Sequence, residues 1–149
     1  MSFLYISDVY ASIHKVLRED EVIRQLMGFD DTTTDVEMAL RIQKRRFPVE
    51  LVENNLPLIT FYKLPGQREF RNHLAYVTAF DFDIYTKDDV ELAIDIADRI
   101  NYLFDGKFLP LPKGSSFKGQ YITSAEDNTD LENTYKYFTQ IEFTFGIEG

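Results

Sequence analysis

Two long segments in which apolar and polar residues alternate constrain the fold of this chain more than any other feature. They cover residues 76–85 and 135–147. A repeat of two residues is typical of a strand with one buried face. That face carries Tyr76, Thr78, Phe80, Phe82 and Ile84 in the first segment, and Tyr135, Tyr137, Thr139, Ile141, Phe143, Phe145 and Ile147 in the second. Both predicted strands exceed the usual length of about five or six residues, and a long apolar strand with a free edge favours association with another chain.

Two shorter segments predict further strands. Residues 57–63 are rich in β-formers, and the Pro65-Gly66 pair that follows has the chemistry of a turn, because proline presets φ and glycine tolerates positive φ. Residues 66–73 are mostly polar, and we expect an exposed excursion there. Residues 117–123 form the second short candidate strand.

Two segments are predicted to be helical from the spacing of their apolar residues. Over residues 3–28 this spacing fits either one bent helix or two helices, with Asp20 capping the second and Gly28 ending it. Residues 87–104 give the strongest helical pattern, with Thr86 or Asp88 as the expected cap. Gly106 is placed to end that helix in a left-handed conformation.

The segment from residue 36 to residue 47 allows two interpretations. A short helix ending before Pro48 would place Lys44, Arg45 and Arg46 in its last turn, where cations suit the helix dipole. A strand is the alternative. Residues 108–113 carry two prolines and are expected to be irregular, and residues 124–134 are expected to form a polar loop.

The order of these elements predicts the fold class. Helices, two strands, a helix and two strands indicate one α+β domain over residues 1–149. We expect a mostly antiparallel four-stranded sheet with helices packed on one face. The segments at 57–63, 76–85 and 135–147 are expected to share that sheet.

The charge balance limits the classes of partner. The chain has 16 Lys and Arg against 25 Asp and Glu, a net charge of −9. Tight binding to duplex DNA relies on cations that neutralise phosphates, so we expect no specific DNA binding, although DNA could slide past such a surface. The chain has no cysteine, which excludes disulfides and zinc–thiolate sites. We find no signal-peptide pattern and no stretch of the roughly 18 apolar residues that a membrane span needs.

Asp81 and Asp83 are the residues most suggestive of chemistry, because alternation places both carboxylates on one strand face. Such a pair is able to hold Mg²⁺ in a nuclease or phosphotransferase. The favoured interpretation is that both acids face solvent or a pore. His14 and His73 lack the spacing of metal ligands, and no glycine-rich phosphate loop is present. We therefore expect no catalytic residue, no metal and no cofactor.

Charged residues in three segments are the predicted subunit or partner contacts. The basic run at 44–46 is expected to cap a helix or pair with an acidic neighbour. Basic residues also flank the excursion at 66–73, and the polar loop at 124–134 carries acids. The predicted contact residues are Lys44, Arg45, Arg46, Arg68, Arg71, Asp127 and Asp130.

Stretches distributed over most of the chain carry a family resemblance. They are Leu26-Met27-Gly28 at the end of the first helical segment, Leu56 to Tyr62, Phe82 to Tyr85, Ala93 to Ile100 and Tyr137 to Phe143. With them the chain resembles the tail terminator proteins of long-tailed siphophages, which are also called tail completion or tail-to-head joining proteins.

The resemblance implies a structural role. Members of that family form hexameric rings that cap the tail tube, stop its polymerisation and dock it to the head. The implied partners are further copies of the chain, the tail tube protein and a head-completion or connector protein. The implied location is the head-proximal end of the virion tail, after assembly in the host cytoplasm. A head-side neck or stopper protein and a monomeric interaction adaptor remain alternatives, and a magnesium-dependent nuclease-like enzyme is a more remote one.

Overall fold

The strands expected at 57–63, 76–85 and 135–147 lie side by side in one larger sheet. The computed structural model describes residues 4–49, 55–69 and 72–146, without the side chains of residues 72 and 73. Its strands are β1 Ile42–Gln43, β2 Leu58–Lys63, β3 Gln67–Glu69, β4 Asn72–Thr86, β5 Ser115–Ser116, β6 Gln120–Asp127 and β7 Tyr135–Gly146.

The sheet corrects the expected mostly antiparallel four-stranded arrangement. Over the described residues it has seven strands and is mixed, because β1 runs parallel to β2. The other pairings between these strands are antiparallel. Strands β3 and β5 were not expected, whereas β1 lies in the segment 36–47 for which a strand was the alternative; all three have only two or three residues each. An alternation pattern cannot show itself over so short a length.

Strand β4 forms the centre of the sheet. It pairs with β2 on one side, where Phe61 lies opposite Phe82, and with β7 on the other, where Thr139 lies opposite Phe82. Beyond β2 lies β1, while β3 pairs with the first part of β4. On the other side of the sheet, β5 and β6 both pair with β7. The sheet therefore has two distant edges, one at β1 and one at β6.

Two segments expected to be irregular contain strand residues instead. The excursion at 66–73 holds β3 and the start of β4, and the loop expected at 124–134 begins only after β6 ends at Asp127. The short strand expected at 117–123 is displaced accordingly to Gln120–Asp127. The residues of β3 and nearly all of those of β6 are exposed. A strand with no buried face gives no alternation to detect.

The helices are α1 Ile6–Glu19, α2 Glu21–Met27, α3 Asp35–Arg41 and α4 Val90–Phe104. The first helical segment is thus two helices. Asp20 adopts an extended conformation between them, and its side chain accepts a hydrogen bond of 3.0 Å from the backbone N–H of Ile23. Gly28 ends α2 with a φ of 76°, which confirms its expected left-handed conformation.

The start of α4 differs from the sequence expectation. Asp89 caps it, with a side chain that accepts from the Leu92 N–H at 3.0 Å. The Thr86 hydroxyl lies before the helix and bonds the backbone of Asp89, while Asp88 has a positive φ of 51°. The expected caps, Thr86 and Asp88, were therefore both wrong. The helix begins later because the Thr86 hydroxyl first closes a turn onto the backbone of Asp89. Gly106 is left-handed as expected, with a φ of 71°.

The segment at 36–47 combines both interpretations that its sequence allowed. Helix α3 ends at Arg41, and the chain then enters β1 directly. The basic residues 44–46 therefore follow a strand and do not form the last turn of a helix. Ile42 makes this early turn into the sheet favourable, because its side chain is buried in the core.

The core lies between the four helices and one face of the sheet. Buried residues from all four helices belong to the same cluster as the inward side chains of β2, β4 and β7. Aromatic rings fill its centre: Phe82 stacks on Phe61 at 5.7 Å and on Phe104 at 5.6 Å between centroids. This confirms that the helices pack on one face. No helix in the described ranges is both long and apolar enough to cross a membrane.

Candidate functional site

The face of the sheet opposite the helices carries a group of polar residues. Asp81 and Asp83 alternate along β4 with the core phenylalanines and point to this helix-free face. The register of β4 and β7 places Asp81 opposite Gln140. Tyr85, which follows Asp83 on the same face of β4, lies opposite Lys136. We use the name polar cluster for Asp81, Asp83, Asp127, Lys136 and Gln140, which line one depression of about 230 Å³.

The expectation that Asp81 and Asp83 face solvent or a pore is wrong for the isolated protomer. Asp81 is 4% exposed and Asp83 is 3% exposed. Tyr62 on β2 and Phe138 on β7 line the same depression and are directly opposite the two acids in the sheet. Large side chains on both neighbouring strands therefore enclose the two carboxyl groups at the floor of the depression. The alternation of residues in β4 alone could not reveal this burial, because it depends on the neighbouring strands.

Hydrogen bonds and ion pairs hold most of the cluster together. Gln140 Nε2 donates to Asp81 Oδ1 at 3.0 Å. Lys136 Nζ lies 3.1 Å from Asp127 Oδ2 and 3.6 Å from Asp83 Oδ2. The other oxygen of Asp81, Oδ2, is buried and has no protein hydrogen-bond partner among the described residues.

The protonation of Asp83 reflects its surroundings. Burial, together with the hydrogen bond and the negative charge of Asp81, raises the pKa of Asp83 to about 8. The Lys136 ammonium opposes this rise but does not cancel it. Burial acts to lower the pKa of Lys136, and the carboxylates of Asp83 and Asp127 outweigh it and raise that pKa. The negative charge of Asp81 and burial thus both favour the protonated form of Asp83.

This arrangement differs from a magnesium site. The Lys136 ammonium already lies between Asp83 and Asp127, at 3.6 Å and 3.1 Å from their carboxyl oxygens, where a metal ion would have to compete with it. In the described part of the chain, no group of three or more His, Asp or Glu side chains is placed to hold a metal ion. What the cluster can do chemically is exchange a proton and present a carboxylate acceptor to a neighbouring group.

The basic run lies at the β1 edge of the sheet. Lys44, Arg45 and Arg46 follow β1 directly and are exposed. The guanidinium of Arg46 lies over the rings of Phe47 and Tyr62, at 5.3 Å and 5.6 Å from their centroids. Lys44 and Arg45 make no hydrogen bond or ion pair within the described residues.

The predicted acidic contacts lie at the opposite edge. Asp127 ends β6, keeps 45% of its side chain exposed and pairs with Lys136 across to β7. Asp130 is exposed in the turn that follows, as is Glu132. Between residues 119 and 134 the chain has four acids and no Lys or Arg.

The remaining sequence candidates are spread over the molecule. Arg68 is exposed on β3, and Arg71 lies outside the described residues. His73 belongs to β4 rather than to an exposed excursion, and its side chain also lies outside the description. The structure therefore brings Arg46, Asp81, Asp83 and Asp127 to one depression and leaves Arg68 and Asp130 apart from it.

His14 has a structural role in the helical layer. Arg18 donates to its Nδ1 at 2.9 Å, which leaves Nε2–H to donate to the Ile42 carbonyl at 3.0 Å. Burial and the positive charges of Lys44 and Arg18 lower its pKa to about 4. A neutral histidine with both nitrogens bonded is committed to the fold and does not act as a base.

An open groove of about 600 Å³ lies between α1 and residues 110–112. Its one hydroxyl from the helix, on Ser12, donates to the Pro110 carbonyl. The charged groups around it include Asp8, Lys15 and Glu19. None of these lining residues is a histidine or a cysteine, so the groove has no base of that kind to activate the serine.

Sequence reasoning missed Lys136, Gln140 and Tyr62 as members of this surface. The signal was present in part: β4 and β7 were expected to share a sheet, and period two puts Lys136 and Gln140 on the polar face of β7. Antiparallel alignment alone does not say which residues lie opposite each other, because register depends on the connections and the packing.

Among the comparisons with known proteins, the search of solved structures finds similar folds. No protein-family model matches the chain, and no curated protein matches it either. The fold is similar to that of a solved chain described as "Virion of native gene transfer agent (GTA) particle", with a TM-score of 0.70. The match covers 97% of this chain and 99% of that chain at 13% sequence identity. This likeness concerns the fold as a whole.

Proposed function

We propose that the chain is a structural protein of a phage-like virion, which forms a ring at the head-proximal end of the tail. The ring ends polymerisation of the tail tube and joins the tail to the head. The observation that carries this proposal is the fold shared with a virion particle chain over nearly the whole length of both chains. Because one fold can carry many functions, the surface of the chain supplies the second line of support.

The surface supports an assembly role. The sheet leaves a long edge strand, β6, exposed along nearly all its length. Such an edge offers unpaired backbone groups to another chain, and monomeric proteins usually protect it. Exposed apolar side chains accompany it, with Tyr121 at 43% and Ile122 at 44%. Subunit contacts would cover both.

The proposed activity is structural rather than catalytic. The polar cluster holds the Lys136 ammonium beside Asp83, and the groove beside α1 has no histidine or cysteine among its lining residues. The acidic net charge of −9 suits a passage through which DNA slides without binding specifically. The proposed partners are further copies of the chain, the tail tube protein and a connector protein of the head.

Deletion of the gene for this chain from the phage-like genome that carries it tests this function. We expect tail tubes of uncontrolled length and heads without tails, measured by negative-stain electron microscopy, and normal length and joining after complementation in trans. Tubes of normal length with tail-less heads would instead indicate a head-side stopper, and normal particles throughout would overturn the proposal.

A biochemical arm separates the assembly role from the alternatives. Purified protein added to growing tail tubes should stop elongation and be seen as extra mass at one tube end. Protein that stays monomeric both alone and with tubes would point to an adaptor. Magnesium-dependent cleavage of DNA that is lost in Asp83→Ala would point to an enzyme.

A further inference from the structure

The two edges of the sheet carry opposite charge. The β1 edge presents the three consecutive cations Lys44, Arg45 and Arg46. The β6 edge and the turn after it present Glu126, Asp127, Asp130 and Glu132 without an intervening cation. Strands β2, β4 and β7 separate the two edges. At about 4.8 Å for each strand step, four steps separate the backbones of β1 and β6 by roughly 19 Å along the sheet. The side chain of Arg46 reaches inward to the depression that Asp127 also lines, so Lys44 and Arg45 are the outer cations of the basic edge.

Each edge also exposes apolar side chains beside its charges. Phe47 is 72% exposed and Val49 is 42% exposed at the basic edge. At the acidic edge Tyr121, Ile122 and Leu131 are between 40% and 44% exposed. Exposed aromatic and aliphatic groups bordered by charges are the composition of protein interfaces.

Several of the edge charges are free to accept a new partner. Lys44 and Arg45 make no ion pair within the described residues, and the carboxylates of Asp130 and Glu132 make none there either. Asp127 differs, because its carboxylate is already bound by Lys136 at 3.1 Å. The available complementary groups are therefore the 44–45 pair on one edge and the 130–132 turn on the other.

We propose that the partner of each edge is the opposite edge of a second copy of this chain. The β1 edge of one protomer, at Lys44 and Arg45, contacts the β6 edge of the next, at Asp130 and Glu132. This inference rests on the proposed ring and specifies its subunit contact. The contact is heterologous, because two different surfaces of the same chain meet.

Charge complementarity argues for a second copy. An isologous dimer through either edge would bring like charges together, which is unfavourable. A head-to-tail contact brings opposite charges together at every junction, even though the chain has a net charge of −9. Because the two surfaces belong to different edges of the sheet, repetition of the contact produces a closed ring or an open filament.

Charge reversal tests the contact. In K44E/R45E the basic edge becomes acidic, and in D130K/E132K the acidic edge becomes basic. We expect each variant alone to have a subunit dissociation constant at least about tenfold weaker than the parent. Analytical ultracentrifugation and mass photometry at low ionic strength, in the presence and absence of tail tubes, measure the change.

Two combinations should restore assembly. An equal mixture of K44E/R45E and D130K/E132K has complementary junctions when the two proteins alternate, so it should form particles of the parent's mass. The variant with all four changes restores complementarity within one chain and keeps the net charge of −9. D95K/D98K, which reverses two exposed acids on α4, is the matched control and should assemble normally.

The outcomes separate this inference from the function beneath it. Parent protein that assembles while the single-edge variants assemble equally well would overturn the edge contact and leave the ring intact. Failure of the four-change variant to assemble, while its circular dichroism spectrum matches that of the parent, would also overturn the edge contact. A parent that stays monomeric even on tail tubes would overturn both proposals.

Discussion

The two faces of the sheet are built from alternate residues of the same strands, yet different interactions stabilise their buried side chains. On the helix-covered face, Phe80 and Phe82 of β4 are fully buried among aromatic rings. On the helix-free face, Asp81 and Asp83 are nearly as buried, at 4% and 3% exposure, but are enclosed by polar partners. Burial alone therefore does not identify the core.

The difference lies in what each face gains from burial. Apolar side chains gain free energy roughly in proportion to the area removed from water. Buried carboxylates lose hydration and need partners, which here are Gln140 and Lys136. We infer that the helix-covered face supplies the stability of the fold, while the helix-free face is left adjustable by pH and by a neighbouring chain.

The largest expected effect comes from truncating the core face. Phe82→Ala should lower the free energy of unfolding by about 3–5 kcal/mol, because it leaves a cavity between Phe61 and Phe104. Phe138→Ala, on the half-exposed side of β7, is the matched control and should cost less than about 1.5 kcal/mol. Urea denaturation measures both. Equal losses would contradict the division between the two faces.

The next effect tests how the helical layer is fastened together. Asp20 caps α2 and also receives two hydrogen bonds from Arg99 of α4, at 2.8 Å and 2.9 Å. Asp20→Ala should cost about 1–3 kcal/mol, because it removes a cap and a bidentate pair together. Arg99→Ala should cost less, since the cap remains. A loss for Asp20→Ala no larger than that for Arg99→Ala would show that the cap contributes nothing.

The contribution of the helix-free face to the free energy of unfolding should depend on pH. Because the pKa of Asp83 is about 8 in the fold against an ordinary 3.8, the folded protein holds a proton that the unfolded chain has released between those values. The free energy of unfolding therefore falls as pH rises through this window. Asp81→Asn removes the neighbouring charge and supplies an amide donor, and it should reduce the decline by about 1–2 kcal/mol.

The measurement is the free energy of unfolding in urea between pH 6.5 and pH 9. His14 makes the free energy of unfolding rise with pH, because its pKa of about 4 in the fold lies below the ordinary 6.5. That rise falls between pH 4 and pH 6.5, so it is largely over where the measurement begins. Asp95→Asn on α4 is the matched control, because Asp95 is exposed. An unchanged decline in Asp81→Asn would rule out Asp81 as a cause of the raised pKa of Asp83.

The smallest expected effect concerns the outer ion pair of the polar cluster. Asp127→Asn removes the 3.1 Å contact with Lys136, but Asp127 is nearly half exposed and Lys136 keeps Asp83. The loss should be about 0.2–1 kcal/mol and should shrink further at high salt. A loss above about 2 kcal/mol would mean that this edge belongs to the core.

Several elements followed from the sequence by itself. The two-residue repeat predicted two central strands of the sheet, because apolar and polar residues alternate in a strand with one buried face. The spacing in 87–104 set α4, and the left-handed Gly28 and Gly106 ended helices as expected, since glycine alone lacks the Cβ that this conformation crowds. The basic run and the acidic loop were also visible, because charge is a property of the chain.

The tertiary structure decided what the local pattern could not. Strands β1, β3 and β5 exist because a neighbouring strand offers hydrogen bonds, and β6 extends to Asp127 for the same reason. Register then placed Lys136 beside Asp83 and turned two acids that looked exposed into a buried pair. The position of the basic and acidic segments on opposite edges depended on strand order, which local sequence cannot specify, because contacts between distant residues determine it.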